Sequence, residues 1–448
     1  MKSRKNYLPQ PQLFQQELEL MLDQRQPLYQ LANRIAWEQF EQAFEGLYAP
    51  IGRPALPIRL MVGLLILKQL ENLSDERIVE HWTRDPYYQY FCGESHFQWR
   101  LPCEPSELVH FRNRIGERGA EKILEVSIKL HSEKIGKEEV VADTTVQEKN
   151  ITFPTDTKLR RKIIERCWKI ADAHAVKYSH SYKRKVPGLL KVLRSRSNRL
   201  VKQRNKARLK LKTYAGRLLR ELQRKLTESD RAIHAEELGL MKRVLEQKRH
   251  DKNKIYSLHE PQVECIAKGK AHKKYEFGAK ASIIMTANSM VIVGAKSFIN
   301  NPYDGDTLTE GLDQVERLTG KRPTSGVVDR GYRGRTQAEK TKITIPGRAR
   351  KTDSYYQRNK QKKRFARRAA IEPVIGHLKS DHRMARNYLK GTLGDKINVM
   401  LAASAFNFKK WINELLFWPK NLLAKILSQP SITEPLHSHF RLFKVRLI

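Results

Sequence analysis

Three acids stand in settings that suit chemistry on phosphates. Glu372 lies in the basic run Lys363–Arg386. On a helix turning about 100° per residue, Phe365, Arg368, Glu372 and Lys379 fall within an arc of about 60°. One carboxylate then lies between two cations on a single face, where it would bind a metal while the cations hold phosphates. Asp143 sits in the β-branched run EEVVADTTV. A carboxylate inside an apolar strand needs a metal or a cation as partner, because burying it unpaired is costly. Asp329 ends SGVVD, directly before Arg330-Gly331-Tyr332-Arg333-Gly334. Each acid alone is weak; an Asp at a strand end is more often structural. Together they are specific, because strand ends in such a sheet open on a common crevice. Three carboxylates meeting there repel unless cations neutralise them. Two Mg²⁺ ions would do so and make a phosphoryl-transfer site, and Mn²⁺ would serve in their place.

Other residues compete for these roles. Asp304 or Asp306 is the alternative second carboxylate, though Asp306 reads better as the N-cap of the helix that follows. Glu148 and Asp156 lie too near Asp143 in the chain to form a separate vertex and would act around it. His377 and His382 read as phosphate contacts or surface residues rather than metal ligands. Tyr332 either stacks on a flipped or terminal base or packs on the sheet edge. Trp168 and Trp99 read as core residues.

The elements that would position these acids follow from the chain's patterning. A helix is expected around Ala32–Leu47, ended by the proline-bearing stretch 50–54. Apolar spacing marks a helix over Ile58–Leu70. Ser74 caps a second, Asp75–Thr83, which Asp85-Pro86 stops. Ser106 caps a further helix, Glu107–Ile115, and Gly119–Ile135 continues helically. This set reads equally as a DNA-binding helical domain or as a bundle packed on something else. Glu138–Val146 reads as a strand, with Asp143 sharing a face with Val141 and Thr145.

Residues 158–254 hold 31 Lys and Arg against nine Asp and Glu, a net +22 of the chain's +38. Leu211, Leu218, Leu222 and Leu226 recur at helical spacing, with breaks expected at Pro187-Gly188 and Thr227–Asp230. The block is either a solvated helical hairpin or a clamp on a DNA backbone, and its charge favours the clamp. Tyr275–Thr286 and Met290–Ile299 then form a hairpin about Ala287-Asn288-Ser289. Leu308, Leu312, Val315 and Leu318 mark an amphipathic helix closed by Gly320. Strands are expected at Ser325–Asp329 and Lys342–Ile345, with a short helix between them. A basic linker follows over 348–363, and an apolar helix over Ile397–Leu416.

Composition limits the partners. The chain has 448 residues, 40% hydrophobic, with a pI near 10.1. That length allows two or three domains. That charge fits a polyanion, most simply nucleic acid, and not an ordinary metabolite enzyme. No run of about 18 apolar residues is present, so no membrane span is expected. The first residues lack an apolar signal segment. The four cysteines have no C-x-x-C pair, which argues against a zinc or disulfide framework. The expected place is the cytoplasm, at the nucleoid.

The segments VVADTTV, VVDRGYRGR and RRAAIEPVIGHLK resemble those of DDE transposases of bacterial insertion sequences. The branch with a Tyr-x₂-Arg-x₃-Glu-x₆-Lys signature is matched at Arg368, Glu372 and Lys379, with Phe365 at the tyrosine position. The stretch Gly52–Gly93 resembles the N-terminal domain common in these enzymes, and the resemblance runs from residue 50 to 412. It implies an RNase-H-like mixed sheet flanked by helices, with an N-terminal all-α DNA-binding domain over 1–135. The catalytic domain would comprise 136–157 and 255–416, interrupted by the basic insertion 158–254. A basic tail, 417–448, would follow. The resemblance makes Asp143, Asp329 and Glu372 the metal-binding triad. Arg368 and Lys379 would contact DNA phosphates, and Arg330, Tyr332 and Arg333 would line the DNA. The implied partners are double-stranded DNA, as terminal inverted repeats and as target, and a second protomer. The expected activity is metal-dependent cleavage of the ends and joining of their 3′ ends to target. A nuclease of the same fold without strand transfer, or a non-catalytic DNA-binding protein, is the alternative. Two departures qualify the resemblance. The basic insertion lies between the first two strands, whereas some relatives carry theirs beside the glutamate helix. Pro373 disfavours helical backbone at Glu372.

Overall fold

The computed structural model describes residues 16–49, 54–135, 139–248, 250–267, 273–347 and 354–427, with 417–427 as backbone alone. The proline stretch 50–53, the stretch 348–353 and most of the tail expected over 417–448 therefore lie outside the described residues. The chain divides into two compact units, one of 1–136, 291–293 and 401–448, the other of 137–290 and 294–400. Among the described residues no helix is long and apolar enough to cross a membrane.

The first unit is helical. Ile58–Leu70 is its centre and buries every residue but Arg59, as expected of a helix that is apolar all round. Ser74 accepts a hydrogen bond from the Arg77 amide and starts Asp75–Trp82, and Asp85 caps Pro86–Phe91 in the same way. The single helix expected over Ala32–Leu47 is instead two, Pro27–Arg34 and Glu38–Phe44, then a 3₁₀ turn. The Trp37 indole donates to the Ala32 carbonyl at the break. Pro105–Lys129 is a long helix kinked where Gly116 takes a φ of 59°. It starts at Pro105, so Ser106 does not cap it.

A buried ion triad ties three of these helices. Asp75 accepts from Lys68 at 2.7 Å and from both Arg112 terminal nitrogens at 2.7 Å. Burial alone would raise the Asp75 carboxyl; the Arg112 hydrogen bonds and Lys68 outweigh it and hold it at about 2. A carboxyl held below its ordinary value near 3.9 stabilises the fold above that value. That contribution, about 2 kcal/mol, is lost as pH falls from about 4 to 2. Asp75→Ala strands two buried cations and is expected to cost about 3–5 kcal/mol at neutral pH. Urea unfolding followed by tryptophan fluorescence measures it. A loss under about 1 kcal/mol would show that the triad contributes little to stability.

The second unit carries a mixed sheet. Its strands are β1 (Val140–Glu148), β2 (Glu264–Ala267), β3 (Tyr275–Thr286), β4 (Ile292–Phe298), β5 (Ser325–Val327), β6 (Gln337–Ala338) and β7 (Thr341–Thr344). The order is β2-β3-β1-β5-β7-β6, with β4 also on β3. β1 is central, antiparallel to β3 and parallel to β5, and β5 is parallel to β7. Helix Thr307–Thr319, closed by Gly320 at φ 72°, connects β4 to β5. With helices flanking it, this sheet is consistent with the α/β RNase-H-like class.

Between β1 and β2 the basic segment folds on its own apolar core. Helices Asp156–Ala173, Val201–Lys225 and Ala235–Glu246 bury Ile163, Cys167, Leu218, Leu222 and Met241 together. Trp168 packs against that core. Pro187 does not break a helix; it sits in the first turn of Val186–Arg194, where a missing amide costs nothing. On Val201–Lys225, Ala207, Leu211, Ala215, Leu218 and Leu222 face the core, while Lys202, Lys206, Lys210, Arg217 and Arg224 are exposed.

The expected linker before Glu372 is largely a helix, Tyr355–Arg368. Ser354 and Gln357 form a capping box at its start. The chain breaks at Ala369-Ala370 and a new helix runs Ile371–Ser380. Pro373 is tolerated there because it lies in the first turn. The continuous face computed across Phe365 to Lys379 is thus divided between two helices.

Candidate active site

The site begins with register. Parallel pairing sets Val141 opposite Val327. Two residues further along each chain stand Asp143 and Asp329. β5 stops at Val327, and Asp329 opens a 3₁₀ turn, Arg330–Tyr332, by accepting the Gly331 amide at 2.8 Å. Asp143 Oδ1 accepts the Thr144 amide at 2.7 Å.

A third aspartate joins them. Asp304 Oδ1 accepts from the Thr144 hydroxyl at 2.8 Å and from Lys280 Nζ at 2.7 Å. A Cβ built on Gly331 would lie 2.9 Å from Asp329 Oδ1 and 3.1 Å from Asp304 Oδ2. Any larger residue there would have to displace these carboxylates. Asp306, the expected helix cap, makes no capping hydrogen bond and pairs instead with Arg335 at 2.5 Å.

Tyr332 sits beneath this group. It is fully buried, and its hydroxyl makes no hydrogen bond of ordinary geometry. Burial pushes its phenol well above the ordinary range, and Asp143, Asp304 and Asp329 push it further; the neighbouring Thr307 hydroxyl pulls weakly the other way. A ring so enclosed does not stack on a base, which corrects that expectation for Tyr332. Arg330 and Arg333, on the same turn, are exposed.

Arg368 supplies the local positive charge. Its guanidinium lies 3.9 Å from Asp143 Oδ2 and 3.1 Å from Glu372 Oε1. It therefore spans the first and third acids across the helix break. The Glu372 side chain is 65% exposed. Lys379 is half-buried on the same helix. His377 is exposed and bonded to Asp381, whereas His382 is buried and so is no surface residue. Glu148 pairs with Lys273 and Asp156 with Arg160, so neither joins the cluster. Trp99, expected in the core, is 82% exposed.

The donors are all carboxylate oxygens, the type that hard divalent cations take. The guanidinium between Asp143 and Glu372 and the ammonium on Asp304 show that the cluster requires positive charge. Among the described residues no three His, Cys, Asp or Glu side chains close into a ready cage. The donor chemistry fits Mg²⁺. Sequence reasoning missed Lys280, which belongs to no motif, and Thr144, which lies in VVADTTV but bonds the distant Asp304.

Two family models match separate parts of the chain, and the second begins after β1 and Asp143. Residues 16–114 match the family described as a transposase domain (DUF772), and residues 243–408 match the transposase DDE domain. An uncharacterized protein, ORF8 in the nfe locus of Rhizobium meliloti, is 41% identical over 177 residues. That alignment covers 38% of this chain and 86% of the relative. No solved structure matches the chain.

Proposed function

Because the chain belongs to the DDE-type transposases of insertion sequences, enzymes that act on DNA by phosphoryl transfer, we propose that Asp143, Asp329 and Glu372 are its catalytic carboxylates. One observation carries this reading: the parallel register sets Asp143 and Asp329 at matching positions two residues past Val141 and Val327, while Arg368 spans Asp143 and Glu372. The three carboxylates would hold two Mg²⁺ ions, or Mn²⁺ in their place, which would activate a water or a 3′-hydroxyl and neutralise the leaving oxygen. Asp304, paired with Lys280 and the Thr144 hydroxyl, lies beside the Gly331 turn that Asp329 opens.

Arg368 and Lys379 would grip phosphates beside the scissile bond, with exposed Arg330 and Arg333 extending that grip. Hydrolysis of one phosphodiester at a transposon end frees a 3′-hydroxyl. That hydroxyl then attacks a target phosphodiester, forming one P–O bond as another breaks. The N-terminal helices would read the terminal inverted repeats. The exposed cations of Val201–Lys225 would hold the DNA backbone. Two protomers would pair two ends.

Precut transposon ends and a target plasmid test the whole reading. In Mg²⁺ the wild-type protein is expected to yield joined product, and with EDTA none. Cutting of uncut ends with no joining of precut ones would replace this reading with that of a nuclease. DNA binding that persists in EDTA, without cutting in Mg²⁺ or Mn²⁺, would replace it with that of a non-catalytic binder.

A further inference from the structure

The insertion brings together two histidines that DNA strand transfer does not use. His174 caps the C-terminal end of helix Asp156–Ala173. His234 lies at the joint between Glu228–Ile233 and Ala235–Glu246. Their Nε2 atoms stand 3.0 Å apart and their rings are nearly perpendicular, at 88°. Two neutral imidazoles meet in this way only if one nitrogen donates and the other accepts. A metal ion between them would use both as acceptors.

The other ring nitrogens face carboxylates. His174 Nδ1 lies 3.2 Å from Asp230, and His234 Nδ1 lies 3.7 Å from Glu237. Asp230 is held in turn by the Thr227 hydroxyl at 2.6 Å, and Glu237 by Arg166 at 3.0 Å. Carboxylates behind the imidazoles are the arrangement that orients histidines bound to metal. Two nitrogens each about 2.0–2.1 Å from a tetrahedral ion stand about 3.3 Å apart, within a few tenths of an ångström of the spacing here. The carbonyl end of the 18-residue helix adds partial negative charge beside His174. The side chains remain 23% and 19% exposed, which leaves room for water to complete the coordination.

We propose that His174 and His234 form a two-histidine site for a nitrogen-preferring divalent cation of the Zn²⁺ class. The ion clips the end of the first insertion helix to the joint between the last two. Hard ions such as Mg²⁺ do not compete, because imidazole pairs suit the later transition metals. The site stands apart from the proposed catalytic carboxylates in both ligand type and selectivity.

The test uses full-length protein stripped of metal and titrated with Co²⁺ as a coloured probe, followed by displacement with Zn²⁺. One equivalent is expected to bind with a visible absorption band that excess Mg²⁺ does not remove. His174→Gln and His234→Gln are each expected to weaken binding by about 100-fold or more, and Glu237→Gln by about tenfold. Circular dichroism checks that each variant is folded, and glutamine keeps a polar group at each position. A variant with Asp329→Asn and Glu372→Gln together is expected to bind Co²⁺ like the wild type. The proposal fails if no Co²⁺ binds, which would leave the pair as a plain hydrogen bond. It also fails if both histidine variants bind normally, or if the double carboxylate variant loses the ion.

Discussion

Asp329→Asn is expected to lower cleavage of a labelled transposon end by about 1,000-fold or more, some 4 kcal/mol of transition-state stabilisation. The substitution separates charge from shape. Asparagine keeps an oxygen that can accept the Gly331 amide, so the turn that starts at Asp329 is retained. What disappears is one unit of negative charge among Asp143, Asp304 and Asp329, and with it a hard oxygen ligand. DNA affinity is therefore expected to hold, or to rise slightly, while cleavage falls. Single-turnover cleavage in Mg²⁺, with gel-shift binding on the same preparation, measures both. Cleavage within tenfold of wild type would remove Asp329 from the triad and turn attention to Asp304.

A stability effect as large as that at Asp75 is expected at Lys149. This lysine is buried just past the end of β1, 3.0 Å from Asp395 and 3.4 Å from Glu260. It also donates to the Leu389 and Gly391 carbonyls. Asn387 and Gln147 bond to Asp395, and Asn398 bonds to Gln147. The network pins the start of helix Gly391–Leu427 to the exit of β1, six residues beyond Asp143. Burial lifts the Asp395 carboxyl above its ordinary range even with Lys149 beside it. Lys149→Met leaves two buried carboxylates without a cation and is expected to cost about 3–5 kcal/mol at pH 7. The sign with pH follows from the raised carboxyl. Its neutral form suits the fold, so the penalty is full at neutral pH and shrinks as pH falls toward about 4. Urea unfolding at pH 7 and pH 5 measures both values. A pH-independent loss, or one under about 1 kcal/mol, would mean that the network is solvated rather than buried.

Much of this architecture was legible where local chemistry decides it. Ile58–Leu70 was read to the residue, because a proline precedes it and an unbroken apolar run fills it. Gly320 closed its helix as expected, since few other residues adopt its left-handed backbone. β1 runs Val140–Glu148 and ends two residues later than read, because Gln147 and Glu148 still pair with Ala279 and Gly278 on β3. The first part of the helix Tyr355–Arg368 was read as linker up to Lys363, although Ser354 and Gln357 spell a capping box; its charge density resembled a linker. Asp306 was assigned as a cap from its position alone. Its actual partner, Arg335, lies 29 residues away, and no local rule names it. For the same reason sequence reasoning kept Asp304 only as an alternative. Its partners are 160 and 24 residues distant, and only the pairing of β1 with β3 brings them together. Tyr332 was ambiguous because an aromatic after Arg-Gly reads the same whether it faces base or core.

The insertion has a bearing on how the chain folds. Val140 must find Thr286, a pairing that closes a very long loop through the centre of the sheet. Such closure slows folding, because its entropy cost comes before any contact repays it. Yet Leu159 and Ile255, at the two ends of the insertion, belong to one apolar cluster. Collapse of those helices would join the two ends of the insertion through one core. The effective loop between β1 and β3 then shrinks to a few short connections. If the basic helices assemble first, they would shorten the loop that the pairing of β1 with β3 must close.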